Sequence, residues 1–149
     1  MVHEARDPTY DARVRASFVR QRFMRTLGAE LVSVRPGEVT IGFDFREDLT
    51  QQHGFMHAGA VTAVVDSACG YAALSLMDEG TGVLAVEFKV NLLAPAKGDR
   101  IVARGRVIRA GRNVTVTWGD VTAYDGENER VVATLVGTMM TVRDRGLSD

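Results

Sequence analysis

Residues 57–77 read HAGAVTAVVDSACGYAALSLM, an apolar run with one carboxylate, Asp66, near its middle. Val61, Val65, Ala68, Ala72 and Leu76 recur at helical spacing, while Gly59, Ala63, Asp66 and Gly70 form a second stripe of small residues. The spacing predicts one long helix from near His57 to about Met77, its first stripe pressed on a sheet and its second open to close approach. A carboxylate taken out of water must find donors, raise its pKa or meet solvent in a cleft. Each outcome marks Asp66 as a candidate functional residue; the alternative is an exposed helix edge or a cap on a neighbouring amide.

Working outward, Asp11 to Leu27 reads as an amphipathic helix with Val19, Phe23 and Leu27 on one line, ended by Gly28. Leu31 to Val34 and Val39 to Phe45 read as a hairpin about Arg35-Pro36-Gly37-Glu38, with Val39, Ile41, Phe43 and Phe45 on the buried face. Downstream of the long helix, Val83 to Leu93, Arg100 to Arg109, Arg112 to Tyr124 and Arg130 to Val142 read as long antiparallel strands joined by short turns. In the first of these, Leu84, Val86, Phe88, Val90 and Leu92 are expected on one face. The class is therefore α+β: an antiparallel sheet wrapped around a central helix, in one domain over 1–149 with a frayed tail at 143–149.

Composition narrows the function classes. The chain of 149 residues carries a formal charge of -1, with no basic stripe to follow a phosphate backbone, so nucleic acid is not an expected partner. One cysteine, Cys69, and a polar opening segment without a signal pattern fit a cytoplasmic protein. The run around Asp66 lacks membrane flanks, and no membrane association is expected. There is no G-x-S-x-G elbow, P-loop or dinucleotide fingerprint, so serine hydrolase, kinase and oxidoreductase chemistries have no support.

The order of elements, with the loop His53-Gly54-Phe55-Met56-His57-Ala58-Gly59 leading into the Asp66 helix, resembles the hot-dog fold and its acyl-CoA thioesterase branch of the phenylacetate-pathway type. The likeness spans roughly residues 31–142. It implies hydrolysis of a coenzyme A thioester, with Asp66 as general base or nucleophile and the Ala58 N–H binding the thioester oxygen. Gln51 stands where an Asn often places the attacking water, and Ala85 where a hydroxyl often stands; Ala58 replaces the first glycine of a usual His-Gly-Gly. His57 and Gly59 shape the turn, and Arg109 and Arg112, at a Gly-Arg turn, would meet the coenzyme A phosphates. No cofactor is implied beyond the coenzyme A of the substrate.

Residue chemistry supports those roles separately. A helix start offers unsatisfied N–H donors and a positive dipole end, which suits a developing oxyanion. Ala58 and Asp66 are eight residues apart, about 12 Å along a helix axis, too far for both to grip one carbonyl carbon. A complete site then pairs two chains, so a homodimer is expected, and the family resemblance adds assembly into a homotetramer.

Other features read differently. His53 and His57 lack a third ligand at suitable spacing, so no metal is expected. Cys69 has no basic neighbour and reads as a packing residue. Trp118 reads as sheet core. Two other functions share the fold: an acyl-CoA or lipid-ligand binding module without turnover, and a hydratase or dehydratase using His57 with Asp66.

Overall fold

The computed structural model describes residues 3–143 and 145–149. Two short helices, α1 (Tyr10–Arg20) and α2 (Arg22–Leu27), precede the hairpin β1 (Glu30–Arg35) and β2 (Glu38–Asp44); the central helix α3 (Ala58–Leu74) follows, then β3 (Gly82–Leu92), β4 (Arg100–Ala110), β5 (Val114–Asp125) and β6 (Asn128–Val142). The strands form one six-stranded sheet in the order β1-β2-β4-β5-β6-β3, every neighbouring pair antiparallel. The α+β architecture agrees with the pattern in the sequence. Among the described residues, no helix is long and apolar enough to cross a membrane.

The seat of α3 on the sheet is made by absent side chains. Gly105 and Gly119 are register partners on β4 and β5. A Cβ on Gly105 would lie 2.4 Å from the Ala68 and Cys69 backbone, and one on Gly119 would lie 2.3 Å from a Val65 methyl. Helix backbone therefore lies directly on strand backbone. Val61, Val65, Ala68, Ala72 and Leu76 are all buried, as their spacing predicts, against Val39, Ile41, Phe43, Ile101, Ala103 and Leu135.

The far end of α3 is closed by α1. Regular helix ends at Leu74, short of Met77, because the last turn tightens: the N–H groups of Leu76 and Met77 donate to Ala73 and Leu74. Arg13 then donates to the carbonyls of Leu74, Met77 and Asp78 at 2.9, 2.9 and 2.7 Å. Buried Asp7 faces Arg13 at 3.3 Å, and the Thr9 hydroxyl and amide donating to Asp7 hold its carboxyl below the usual range. A guanidinium on orphan helix carbonyls satisfies both hydrogen bonding and the dipole.

Four expectations need correction. The helix expected over 11–27 is broken at Gln21, whose backbone is extended (φ -77, ψ 94). The break lets α1 bury Val14 and Ser17 while α2 buries Met24 and Leu27 on a different line, leaving Val19 and Phe23 73% and 55% exposed. A β-bulge between Ala85 and Glu87 reverses the alternation of β3. Leu84 and Phe88 therefore stand on opposite faces, and Leu84, Val86, Phe88 and Leu92 are all exposed in the single chain. Trp118 lies on the outer face, donating to Asp120 at 2.7 Å beneath Arg106. Asp149, placed in a frayed tail, accepts from Ser17 Oγ and from the Val83 N–H, both at 2.8 Å.

Gly105→Ala is expected to cost about 3 kcal/mol or more, because neither backbone can give way. Gly70→Ala, on α3 itself and with nothing within 4 Å of its would-be Cβ, is expected to gain up to about 1 kcal/mol of helix propensity. Urea unfolding of the two variants beside the wild type measures both signs.

Candidate active site

The start of α3 is held by its own approach loop. His57 is the N-cap, and its Nδ1 accepts from the Gly59 N–H at 2.8 Å. Gly59 is needed there, since a Cβ would sit 2.9 Å from that same Nδ1. Behind the cap, His57 N–H donates to Leu49 O and Met56 N–H to Ala96 O, each at 2.9 Å. The N–H groups of Ala60 and Val61 both return to His57 O. The Ala58 N–H is left without a partner among the described residues, at the positive end of a 17-residue helix.

Ala58 opens onto a cavity of about 480 Å³ lined by Gln51, Phe55, Val61, Leu92 and Pro95 among others. The walls are mostly apolar. Gln51 Oε1 accepts from the His53 N–H, which ties that half of its amide to the loop and leaves the NH2 group as a donor.

Asp66 lies two turns further on, in a different cavity. That recess, about 160 Å³, is lined by Gln21, Asp66, Ser67, Gly70, Tyr71, Val83, Leu84, Ala85, Met139 and Asp149. Asp66 Oδ1 is buried and has no hydrogen-bond partner among the described residues. Burial pushes the Asp66 carboxyl above its ordinary value of 3.8. Tyr71 is raised as well, by burial, with its hydroxyl 3.4 Å from Ser17 Oγ. An under-solvated carboxylate with free lone pairs is a proton acceptor in search of a donor.

The residues singled out in the sequence are thus divided. Gln51 and Ala58 share one cavity, Asp66 and Ala85 a second, and His57 and Gly59 line a third of about 370 Å³ with Phe23 and Leu49. His57 has its Nδ1 engaged and does not share a cavity with Asp66, which removes the geometric basis for a His57–Asp66 acid/base pair within one chain. Arg109 and Arg112 line none of these three cavities; both are exposed around the β4–β5 turn. The register links that turn to the Asp66 end of the sheet, since Ala110 pairs with Thr115, Thr115 with Met139 and Met139 with Ala85.

Cys69 is fully buried and its thiol is pushed up to about 12, first by burial. It is not a nucleophile at neutral pH. Gln21, Ser67 and Tyr71 were missed as site residues. Gln21 sits in a helix break that periodicity does not signal, and Ser67 and Tyr71 were read as ordinary members of the apolar run.

Comparisons with known proteins show the family and the fold. Residues 53–130 match the family model described as the thioesterase superfamily. A crystal structure of a thioesterase family protein from Silicibacter pomeroyi is 48% identical, with TM-score 0.89 over 91% of this chain and 99% of that one. Human acyl-coenzyme A thioesterase 13 is 30% identical over 111 residues, 73% of this chain and 79% of that protein. The Escherichia coli PaaI protein of the phenylacetic acid degradation operon, 19% identical, shares the fold with TM-score 0.82 over 91% of this chain and 94% of that one. The family model covers more than half of the chain, and the chain belongs to that family: the thioesterase superfamily, as a thioester hydrolase of hot-dog fold.

Proposed function

We propose that this protein hydrolyses acyl-CoA thioesters at a site assembled from two copies of the chain, the Ala58 N–H of one and Asp66 of the other. The observation that carries this reading is the separation of the two groups into different cavities, each of which has a wall on the same edge strand. The helix-start cavity ends on Leu92 and Leu93, and the Asp66 recess on Val83, Leu84 and Ala85.

β3 is an edge strand of 11 residues with Leu92 58% and Val86 57% exposed. Such an edge pairs with another strand unless it is covered. Antiparallel pairing with its own copy about a two-fold near Phe88, with the bulge between Ala85 and Glu87 taking up one residue, sets Val90 of one chain opposite Ala85 of the second. The helix-start cavity of each copy then abuts the Asp66 recess of the other, twice per dimer. Further association into a tetramer follows the habit of the family.

In the assembled site the Ala58 N–H donates to the thioester oxygen as negative charge develops there, with the dipole of α3 behind it. Asp66 takes a proton from water, or attacks the carbonyl itself; both require the ionised carboxylate. Gln51, beside Ala58, offers its NH2 group to that water or to the carbonyl. Ala85 contributes no hydroxyl, so the polar groups around Asp66 are Gln21, Ser67 and Tyr71. Arg109 and Arg112, at the Asp66 end of the sheet, are placed to meet coenzyme A phosphates approaching over that edge. The substrate brings the coenzyme; no other cofactor takes part.

Asp66→Asn is expected to lower kcat by about 10²–10⁴-fold. In the wild type, kcat/KM should fall on the acid side with an apparent pKa above the ordinary carboxylate value of 3.8. The stability effect has the opposite sign. A raised carboxyl pKa favours the folded state only while the group is protonated, and ionisation withdraws that stability as pH rises through the folded value. Asp66→Asn should therefore melt at or above the wild-type Tm at pH 7, with the gap closing toward pH 4; thermal melts at the two pH values read it.

Ala58→Pro removes the one N–H at issue with little disturbance. Proline is favoured at the first helical position, and His57 already has the extended backbone (φ -62, ψ 134) that a following proline requires. It should fold and lose activity. Mixed one to one with Asp66→Asn and allowed to exchange subunits, it should recover about a quarter of wild-type activity, because half the dimers carry one intact site. Sites contained within single chains would recover none.

A further inference from the structure

We infer that Gln21 is a specificity-determining residue: it forms the end wall of the recess beside Asp66 and sets how long an acyl chain the site accepts. The inference rests on the thioesterase reading, with the acyl group entering the Asp66 recess. Gln21 lines that recess of about 160 Å³, and it also lines a second cavity of about 340 Å³ with Phe18, Val19, Arg25, Gly28 and Ala29. One side chain thus stands between a small, polar recess at the carboxylate and a larger hollow, open to solvent, along α1 and α2.

The backbone explains why this residue, and not a neighbour, takes that place. Gln21 is the single extended residue between α1 and α2, so its side chain departs from the line that either helix would impose. Its N–H is held by Phe18 O at 3.0 Å, and Ser67 Oγ donates to its Oε1 at 3.3 Å. Ser67 adjoins Asp66 on α3 and is itself buried. The amide is thereby pinned across the recess from the helix that carries the carboxylate. Beyond it, Phe18, Val19 and Ala29 offer apolar surface suited to methylenes, whereas the recess itself ends on Gln21, Ser67, Tyr71 and Asp149.

Shortening Gln21 joins the two spaces. Each methylene that then moves from water into the outer cavity is expected to raise kcat/KM by about fourfold. Gln21→Met keeps the length of the side chain, so it should keep the wild-type cut-off even though the bond to Ser67 is lost.

The test is thiol release from a ladder of straight-chain acyl-CoA thioesters of increasing length, measured for wild type, Gln21→Ala and Gln21→Met, with circular dichroism to establish folding. The expected result is a cut-off moved to longer chains in Gln21→Ala and unmoved in Gln21→Met, each read as kcat/KM relative to that variant's own best substrate. A uniform loss across the ladder, or an unchanged cut-off in folded Gln21→Ala, overturns the assignment. If Gln21→Ala does not fold, Gln21→Ser shortens the side chain while keeping a polar head, and an unchanged cut-off there overturns the assignment equally. A wild type inactive on every thioester in the ladder, and on aryl-acyl thioesters beside it, would instead sink the acyl-CoA reading on which this one stands.

Discussion

The contact of α3 with the paired glycines Gly105 and Gly119 governs the rest of the molecule. With no Cβ on either strand, the Ala68 and Cys69 backbone sits on the sheet itself, and Val65 drops into the space over Gly119. Both the depth and the rotation of the helix are then fixed. Asp66, two residues from Ala68, is turned about 200° around the axis, away from β4 and β5 and toward the recess walled by β3 and the N-terminal helices. The carboxylate is half-buried because its neighbours on the helix are wholly buried. Its raised pKa and unsatisfied Oδ1 are thus consequences of how the core packs.

The N-terminal helices complete this arrangement from the other side. Arg13 of α1 supplies the donors that the last carbonyls of α3 lack, and its charge is balanced by Asp7. Gln21 and Asp149, the latter held by the Ser17 hydroxyl, then wall the recess at Asp66. An element that the family resemblance leaves outside its span, residues 10–27, is therefore structural at one end of α3 and a wall of the site at its middle.

The central features were legible because each rests on a strong local signal. The α3 stripe repeats at helical spacing, and one carboxylate interrupts it. The strands are long and alternate, and a helix start with a histidine beside a glycine reads as a cap. What was not legible depends on single residues that leave the pattern. The bulge at Ala85–Glu87 inserts one residue and reverses the facing of Leu84 against Phe88. The extended backbone at Gln21 divides a helix whose apolar spacing looked continuous, and spacing alone could not say that Val19 and Phe23 lie outside. The division of the site residues between cavities follows from helix length, and so it could be anticipated from Ala58 and Asp66. The distance of Arg109 and Arg112 from those cavities could not, since it depends on strand order.

The bulge in β3 connects the recess with the proposed association. Before it, Val83 and Ala85 pair with Thr141 and Met139; after it, Phe88, Val90 and Leu92 pair with Gly137, Leu135 and Ala133. All of these β6 partners lie on the inner face with buried Met139 and Leu135. Without the bulge, strict alternation of the same residues would keep Phe88, Val90 and Leu92 inward but turn Leu84 inward and Ala85 outward. The bulky leucine would then fill the space beside Asp66 that the small alanine leaves open. The same irregularity gives the two ends of the strand different walls to form: a small residue at the carboxylate, and Leu92 at the helix-start cavity. A strand that walls both cavities takes opposite facings in its two halves, and the one-residue bulge supplies them.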